Sequence, residues 1–350
     1  MRSISKISQF SKISQLLRWL LNKERAARYF TNIFRYSTNL NRIEIDKPIF
    51  LLGTQGCGLT MLMKVFQRHS ITCFCRGNNL HWDAAENEMH AYLHDWRIPK
   101  EFSFVVNKQY PTKYPTDRFR YWTYALDETL PLYRVDVESI TPDISDRFQR
   151  VIKRVIRAYA HDPYRARFID KSQLYTINIE AVKKALNPST PIFIVVTRNP
   201  YAMCKRVAEI YYKSRHKHGF GITTERSIRL CCQHWRNSYE LALAASEKVE
   251  NIKLYQFEKI ILDPEKYIRS MCDFAQLNFE IDILPAPGQK RTLYGSMRSR
   301  WYPMRVNVND NYLNELTGRE IDIIYHECGK LAESLGYKKP YKNRKAVLGK

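Results

Sequence analysis

The chain has 350 residues, 44% of them hydrophobic, which is enough for one large domain or two small ones. Its net charge is +22, but residues 1–42 hold +8 of it and residues 338–350 hold +6, leaving +8 for the 295 residues between. That distribution speaks against a folded surface organised as one large nucleic-acid stripe, and no apolar run reaches the ~18 residues needed to span a bilayer. Eight cysteines, including the adjacent pair Cys231 and Cys232, form no recognisable disulfide or zinc pattern and read as reduced, buried thiols of a cytoplasmic protein.

The first element is a basic N-terminal helical extension over 1–44. It contains the tandem copy Ser5-Lys6-Ile7-Ser8-Gln9 and Ser11-Lys12-Ile13-Ser14-Gln15. Phe10, Ile13, Leu17, Leu20, Ala27, Phe30 and Phe34 fall near one helical face, as in a targeting segment, a helix touching an acidic membrane surface, or a helix packed on the domain. Ile49 to Leu52 then reads as a buried strand, followed by a glycine-rich turn and a helix carrying Leu62, Val65 and Phe66. Residues 72–94 are mixed, with an acidic cluster at Asp83, Glu86 and Glu88, and residues 95–145 form an aromatic insertion or cap.

A basic amphipathic helix is expected over 146–160, a strand over Arg167 to Asp170, and a helix over 176–186. Ile192 to Val196 is the strongest buried strand, and Pro200 opens a helix running to about 214. A basic loop (213–221) leads to a long helix over 224–249, then a strand over Ile252 to Phe257 and a helix from Pro264 to near Leu277. Residues 283–310 are irregular, 311–335 form one closing helix, and 338–350 a basic tail. Strands alternating with helices predict an α/β fold, a three-layer domain over 45–337 with a central parallel sheet.

Ligands of such sheets sit at the carboxyl ends of the strands, and three predicted strand ends carry chemistry. Gly53, Thr54, Gln55, Gly56, Cys57, Gly58, Leu59 and Thr60 form a P-loop-like turn, in which backbone N–H groups and a helix N-terminus converge on a phosphate. Leu59 stands where a nucleotide triphosphatase needs its lysine, so the loop suits a phosphate without suiting ATP hydrolysis. Arg198, directly after the buried strand and before Asn199-Pro200, can aim a bidentate fork at a second phosphate. Asp170-Lys171-Ser172 is the third end.

With these residues the chain resembles the sulfotransferases that use 3′-phosphoadenosine 5′-phosphosulfate (PAPS), in their carbohydrate-type Golgi and bacterial branch rather than the cytosolic small-phenol branch. Gly53 to Thr60 matches the loop that cradles the 5′-phosphosulfate, and Arg198-Asn199-Pro200 matches the motif that binds the 3′-phosphate. Asp170-Lys171-Ser172, Trp235, Tyr255-x-x-Glu258, Asp263-Pro264, the stretch Cys272 to Leu277, and Leu335-Gly336-Tyr337 follow in the family's order, over about 48–337. Ala85 to His90 resembles the Glu-Asn-Glu-Val-His segment of heparan sulfate 3-O-sulfotransferases, which makes Glu88 the expected catalytic base. His81, Asp83, Glu86 and His90 are its nearby substitutes. Gly295 to Trp301 resembles the late basic segment over the 3′-phosphate, which adds Arg298 and Arg300.

Two positions depart from the family. Most members have Lys or Arg where this chain has Gly56, and that cation stabilises the bridging oxygen as it leaves. The usual serine eight residues after the motif arginine is here Arg206, which is expected to join Arg198 on the 3′-phosphate. Lys171 is the expected replacement cation, with Lys64 and Arg76 as second choices. The resemblance implies PAPS as co-substrate, no metal, no nucleic acid partner, and an acceptor with a free hydroxyl on a sugar-containing molecule. A non-catalytic nucleotide-binding protein of the same fold is the alternative, and a P-loop kinase or NTPase a weaker one.

Overall fold

A computed structural model describes residues 38–74, 88–89, 98–102, 124–216, 224–284 and 306–341, with backbone only for 210–216. The expectations for residues 1–37 of the N-terminal extension, for His81, Asp83, Glu86, His90 and Arg76, for Arg298 and Arg300, for the loop from 217 onward and for the end of the tail lie outside the described residues; the last part of the extension holds a 3-10 turn (Leu40–Arg42) and the buried Ile43.

Five parallel strands make one sheet: β1 (Ile49–Leu52), β2 (Thr72–Phe74), β3 (Arg167–Asp170), β4 (Ile192–Thr197) and β5 (Ile252–Gln256), in the order β2-β3-β1-β4-β5. The registers Phe50 to Asp170, Leu52 to Val195 and Thr197 to Gln256 bring all the carboxyl ends to one edge. β1 lies between β3 and β4; the chain runs from β1 to β2 on one side and from β3 to β4 on the other, and this reversal opens a crevice at that edge.

Alternation along β1 divides the core. Phe50 and Leu52 face one hydrophobic cluster, and Ile49 and Leu51 the other. Under the first face Phe50 meets Phe193, Phe168 and Tyr175. Burying one such aromatic ring contributes about 2–3 kcal/mol. Helices α1 (Leu59–Phe66), α2 (Pro142–Tyr159), α3 (Ile179–Ala185), α4 (Pro200–His216), α5 (Thr224–Ser246), α6 (Phe257–Leu262), α7 (Pro264–Phe274) and α8 (Gly318–Ser334) cover the sheet. The second face takes α1, α6 and α7, and the first takes α2 to α5 and α8.

Four expectations shift. β2 lies inside the stretch read as mixed, because a three-residue edge strand has too little periodicity to announce itself. α2 starts at Pro142, where the Thr141 hydroxyl accepts from Ile144 N–H and proline takes the first helical position. The helix expected over 176–186 is a 3-10 turn (Gln173–Ile177) and then α3. The closing helix is two pieces, Asp310–Glu315 and α8, since Thr317 and Glu320 form a reciprocal capping box that starts a new helix. In the aromatic insertion, Phe102 and Tyr133 are fully buried, with Phe102 stacked on Phe148, so these residues build core.

Candidate functional site

The turn after β1 is built by three glycines at positive φ. Gly53 (φ 143°), Gly56 (φ 92°) and Gly58 (φ 100°) adopt backbone angles that a side chain disfavours. Gly53 and Gly58 are also confined by space. A Cβ at Gly53 would lie 2.4 Å from Val196 O, and one at Gly58 would lie 2.3 Å from the Phe257 ring. Gly58 caps α1 in the left-handed conformation, and its carbonyl accepts from Met61 N–H (2.9 Å) and Leu62 N–H (3.2 Å).

The start of the turn is tied down from three elements. Gly53 N–H donates to Thr176 Oγ1 (2.9 Å), and Thr54 N–H donates to the Tyr239 hydroxyl (3.2 Å), which donates to Val196 O (2.7 Å). Cys57 is fully buried, and burial pushes its thiol up to about 12, so it packs the turn as a neutral group.

Arg198 follows β4 and is 3% exposed. Its carbonyl accepts from Trp235 Nε1 (3.1 Å), Nε donates to Asn309 Oδ1 (2.8 Å), and Nη1 donates to Gly56 O (2.7 Å). Asn309 is oriented in turn by Glu258, whose Oε1 accepts from Asn309 Nδ2 (2.7 Å) and Asn199 N–H (2.8 Å). The Tyr337 hydroxyl donates to Glu258 Oε2 (3.2 Å) and lies 2.8 Å from Thr197 Oγ1. The guanidinium also lies over the Phe257 ring, 4.9 Å from its centre.

After all these contacts Nη2 is left buried with no partner among the described residues. A buried unpaired N–H on a charged group costs more than the usual 1–3 kcal/mol, so the arrangement suits a further acceptor at this nitrogen. Burial, then repulsion from Arg206, pushes Arg198 down to about 10, which leaves it charged at neutral pH. Arg206, on α4, is half-buried and approaches the turn, with Nη1 2.8 Å from where a Cβ at Gly56 would stand.

On the other side of β1, the carboxylate of Asp170 holds two backbones together. Oδ2 accepts from Met89 N–H (2.8 Å) and Oδ1 from Ser172 N–H (2.7 Å). This clamp sets Glu88 beside Lys171, where Lys171 Nζ donates to Glu88 Oε1 in a buried ion pair, 2% and 5% exposed. Glu88 and Lys171, 83 positions apart in sequence, therefore meet at the strand end, as the loop and the two arginines meet at theirs. Tyr124 is fully buried and feels charges from both sides. Its hydroxyl donates to Gln173 O (3.0 Å), and burial first, then the nearby Cys57 and Glu88, raises its pKa.

Sequence reasoning missed Asn309, Tyr239, Thr176 and Tyr124, which lie in segments without a motif. Glu258 was visible in Tyr255-x-x-Glu258, and only the fold gives it the task of orienting Asn309. Lys64 lies on α1.

A family model described as the sulfotransferase family matches residues 48–281, about two thirds of the chain and all five strands. The chain belongs to the sulfotransferase family. Two solved structures share the fold. The sulfotransferase domain from the curacin biosynthetic pathway is 16% identical with a TM-score of 0.50, covering 85% of this chain and 100% of that one. Sulfotransferase STF9 from Mycobacterium avium is 11% identical with a TM-score of 0.52, covering 90% and 83%. No curated protein matches the chain by sequence. Within this family fold, the glycine turn, the arginine corner and the Glu88–Lys171 pair all lie at the carboxyl edge of the sheet. Among the described residues no helix is long and apolar enough to cross a membrane.

Proposed function

We propose that the chain transfers a sulfuryl group from PAPS to a hydroxyl of a sugar-containing acceptor. The observation that carries this reading is the unpaired, buried Nη2 of Arg198 beside a glycine turn that leads into a helix N-terminus. Two anion sites built on β1 and β4 suit a nucleotide phosphorylated at both ends, and the donor supplies an activated sulfuryl group. Gly53 to Thr60 hold the 5′ end, and Arg198, fixed by Asn309 and Glu258, holds the 3′-phosphate.

Glu88 accepts the proton of the acceptor hydroxyl as that oxygen bonds to sulfur, and Lys171 and the Asp170 clamp keep the carboxylate ionised and in place. Family membership speaks for transfer over the P-loop kinase and NTPase alternatives, and over a binding protein without turnover. The sugar acceptor rests on sequence alone: aromatic residues of 95–145 can stack on sugar rings, and the basic loop 213–221 can pair with their charges. A cytoplasmic location, with the basic N-terminus resting on an acidic membrane surface, completes the reading.

Calorimetry tests it. Adenosine 3′,5′-diphosphate should bind in the micromolar range and AMP much more weakly. Arg198→Ala should weaken the diphosphate by about 10- to 150-fold, the value of a charge-assisted contact, with little effect on AMP. Equal affinity of the unaltered protein for both nucleotides would remove the second anion site and this reading with it.

A further inference from the structure

The two departures from the family pattern, Gly56 and Arg206, meet in space. A Cβ built on Gly56 would lie 2.8 Å from Arg206 Nη1, with Met203 and Val207 on either side of it. Arg206 therefore places its guanidinium where a long side chain rising from position 56 would begin. We propose that Arg206 is the cation of the 5′ side of the site: the positive charge that the family resemblance expects on the loop comes here from helix α4, whose guanidinium reaches the space where a side chain at position 56 would begin. The inference rests on the proposed reading of the site and reassigns Arg206 from the 3′-phosphate to the oxygen that joins sulfur to the 5′-phosphate.

Among the described residues, three other cations near the turn have partners of their own. Lys171 lies against Glu88. Lys205, the residue before Arg206, turns away to Glu320 (2.8 Å) and Glu209 (3.8 Å). Arg198 spends Nε and Nη1 on Asn309 and Gly56 O, and only Nη2 remains for the 3′ side. Arg206 sits on the second turn of a helix whose first turn is fixed by Asn199, with Oδ1 accepting from Tyr201 N–H (2.9 Å). The guanidinium is thus delivered by a rigid element, while Gly56 at φ 92° would strain under any side chain.

The chemistry needs such a group. As the bond between sulfur and the acceptor oxygen forms, the bond between sulfur and the bridging oxygen breaks. The electron pair stays on the 5′-phosphate, the acceptor proton passes to Glu88, and the added negative charge on the phosphate is met by Arg206. Two arginines close together then serve two different phosphates of one nucleotide, which offsets the repulsion between them.

The test separates the two ends of the nucleotide by titrating adenosine 3′,5′-diphosphate and adenosine 3′-monophosphate into each folded variant, with thermal melts alongside. Arg206→Ala should weaken the diphosphate by about 10- to 100-fold and leave the 3′-monophosphate unchanged. Arg198→Ala should weaken both. The conservative variant Arg206→Lys keeps a cation on helix α4 and should retain most of the diphosphate affinity that Arg206→Ala loses. Loss of 3′-monophosphate affinity in Arg206→Ala, or unchanged binding of both nucleotides, would overturn the inference and leave the wider reading standing. Failure of the unaltered protein to bind the diphosphate would overturn both.

Discussion

Arg198 and Lys171 are buried cations at strand ends on either side of β1, and the fold satisfies them in opposite ways. Lys171 has its counter-charge inside the chain, in Glu88, and the pair is closed before anything binds. Arg198 has its carboxylate one step away, behind Asn309, and one terminal nitrogen, Nη2, is left over among the described residues. The first arrangement suits a base that must stay ionised while buried, because an isolated carboxylate there would take up a proton. The second suits a receptor, because a charge held rigidly and left short of one partner gains most when an anion arrives. Burial and charge are alike at the two positions, and their partners are not.

The largest effect should come from opening the closed pair. Lys171→Ala leaves Glu88 buried without its partner, which should cost about 3–5 kcal/mol in urea unfolding. Transfer from labelled PAPS should slow about 10²–10³-fold, and Glu88→Gln should slow it similarly with a smaller loss of stability. Both variants should keep their affinity for adenosine 3′,5′-diphosphate, unlike Arg198→Ala. A Lys171→Ala protein that keeps its full rate would break the comparison, since the pair would then be mere structure.

A smaller effect tests whether the receptor side depends on the shape of the turn. Gly58→Ala puts a methyl group against the Phe257 ring at a φ of 100°, and should cost about 2–4 kcal/mol of stability. Gly56→Ala meets only the end of a flexible arginine and should cost less. Equal losses in chemical denaturation would show that the turn is uniformly strained and that space plays no part.

His234 is a buried titratable group outside both regions and gives the smallest effect. It is 1% exposed, neither ring nitrogen has a partner, its ring meets Tyr124 edge to face, and burial pushes it down to about 3. The unfolded chain takes up a proton near pH 6.5 and the folded one does not until about pH 3, so stability falls as the pH drops between them. The loss at pH 5 relative to pH 7.5 should be about 2 kcal/mol by denaturant titration. His234→Leu should flatten that part of the profile, and an unchanged slope would show that other groups set the acid stability.

What the sequence determined by itself was whatever a short stretch of chain encodes locally. The apolar run Ile49 to Leu52, the three glycines after it, the run Ile192 to Val196 and Arg198-Asn199-Pro200 each carry their structure in neighbouring residues. A buried strand must be apolar, a tight phosphate turn needs residues free to adopt positive φ, and a helix opens readily on proline. The parallel sheet followed from these, as did the placing of the glycine turn and Arg198 at its carboxyl edge. The edge strand Thr72–Phe74 and the break at Thr317 were lost because three residues, or one cap within a periodic stretch, add little to a pattern summed over a dozen positions.

Only the tertiary structure decided the partnerships. Glu88 and Lys171 are joined by Asp170 holding two distant backbones, Asn309 reaches Arg198 from 111 positions away, and Arg206 fills the space above Gly56. No local rule links such positions, because the free energy of a buried charge depends on what the fold brings within a few ångströms of it, and sequence distance has no bearing on that.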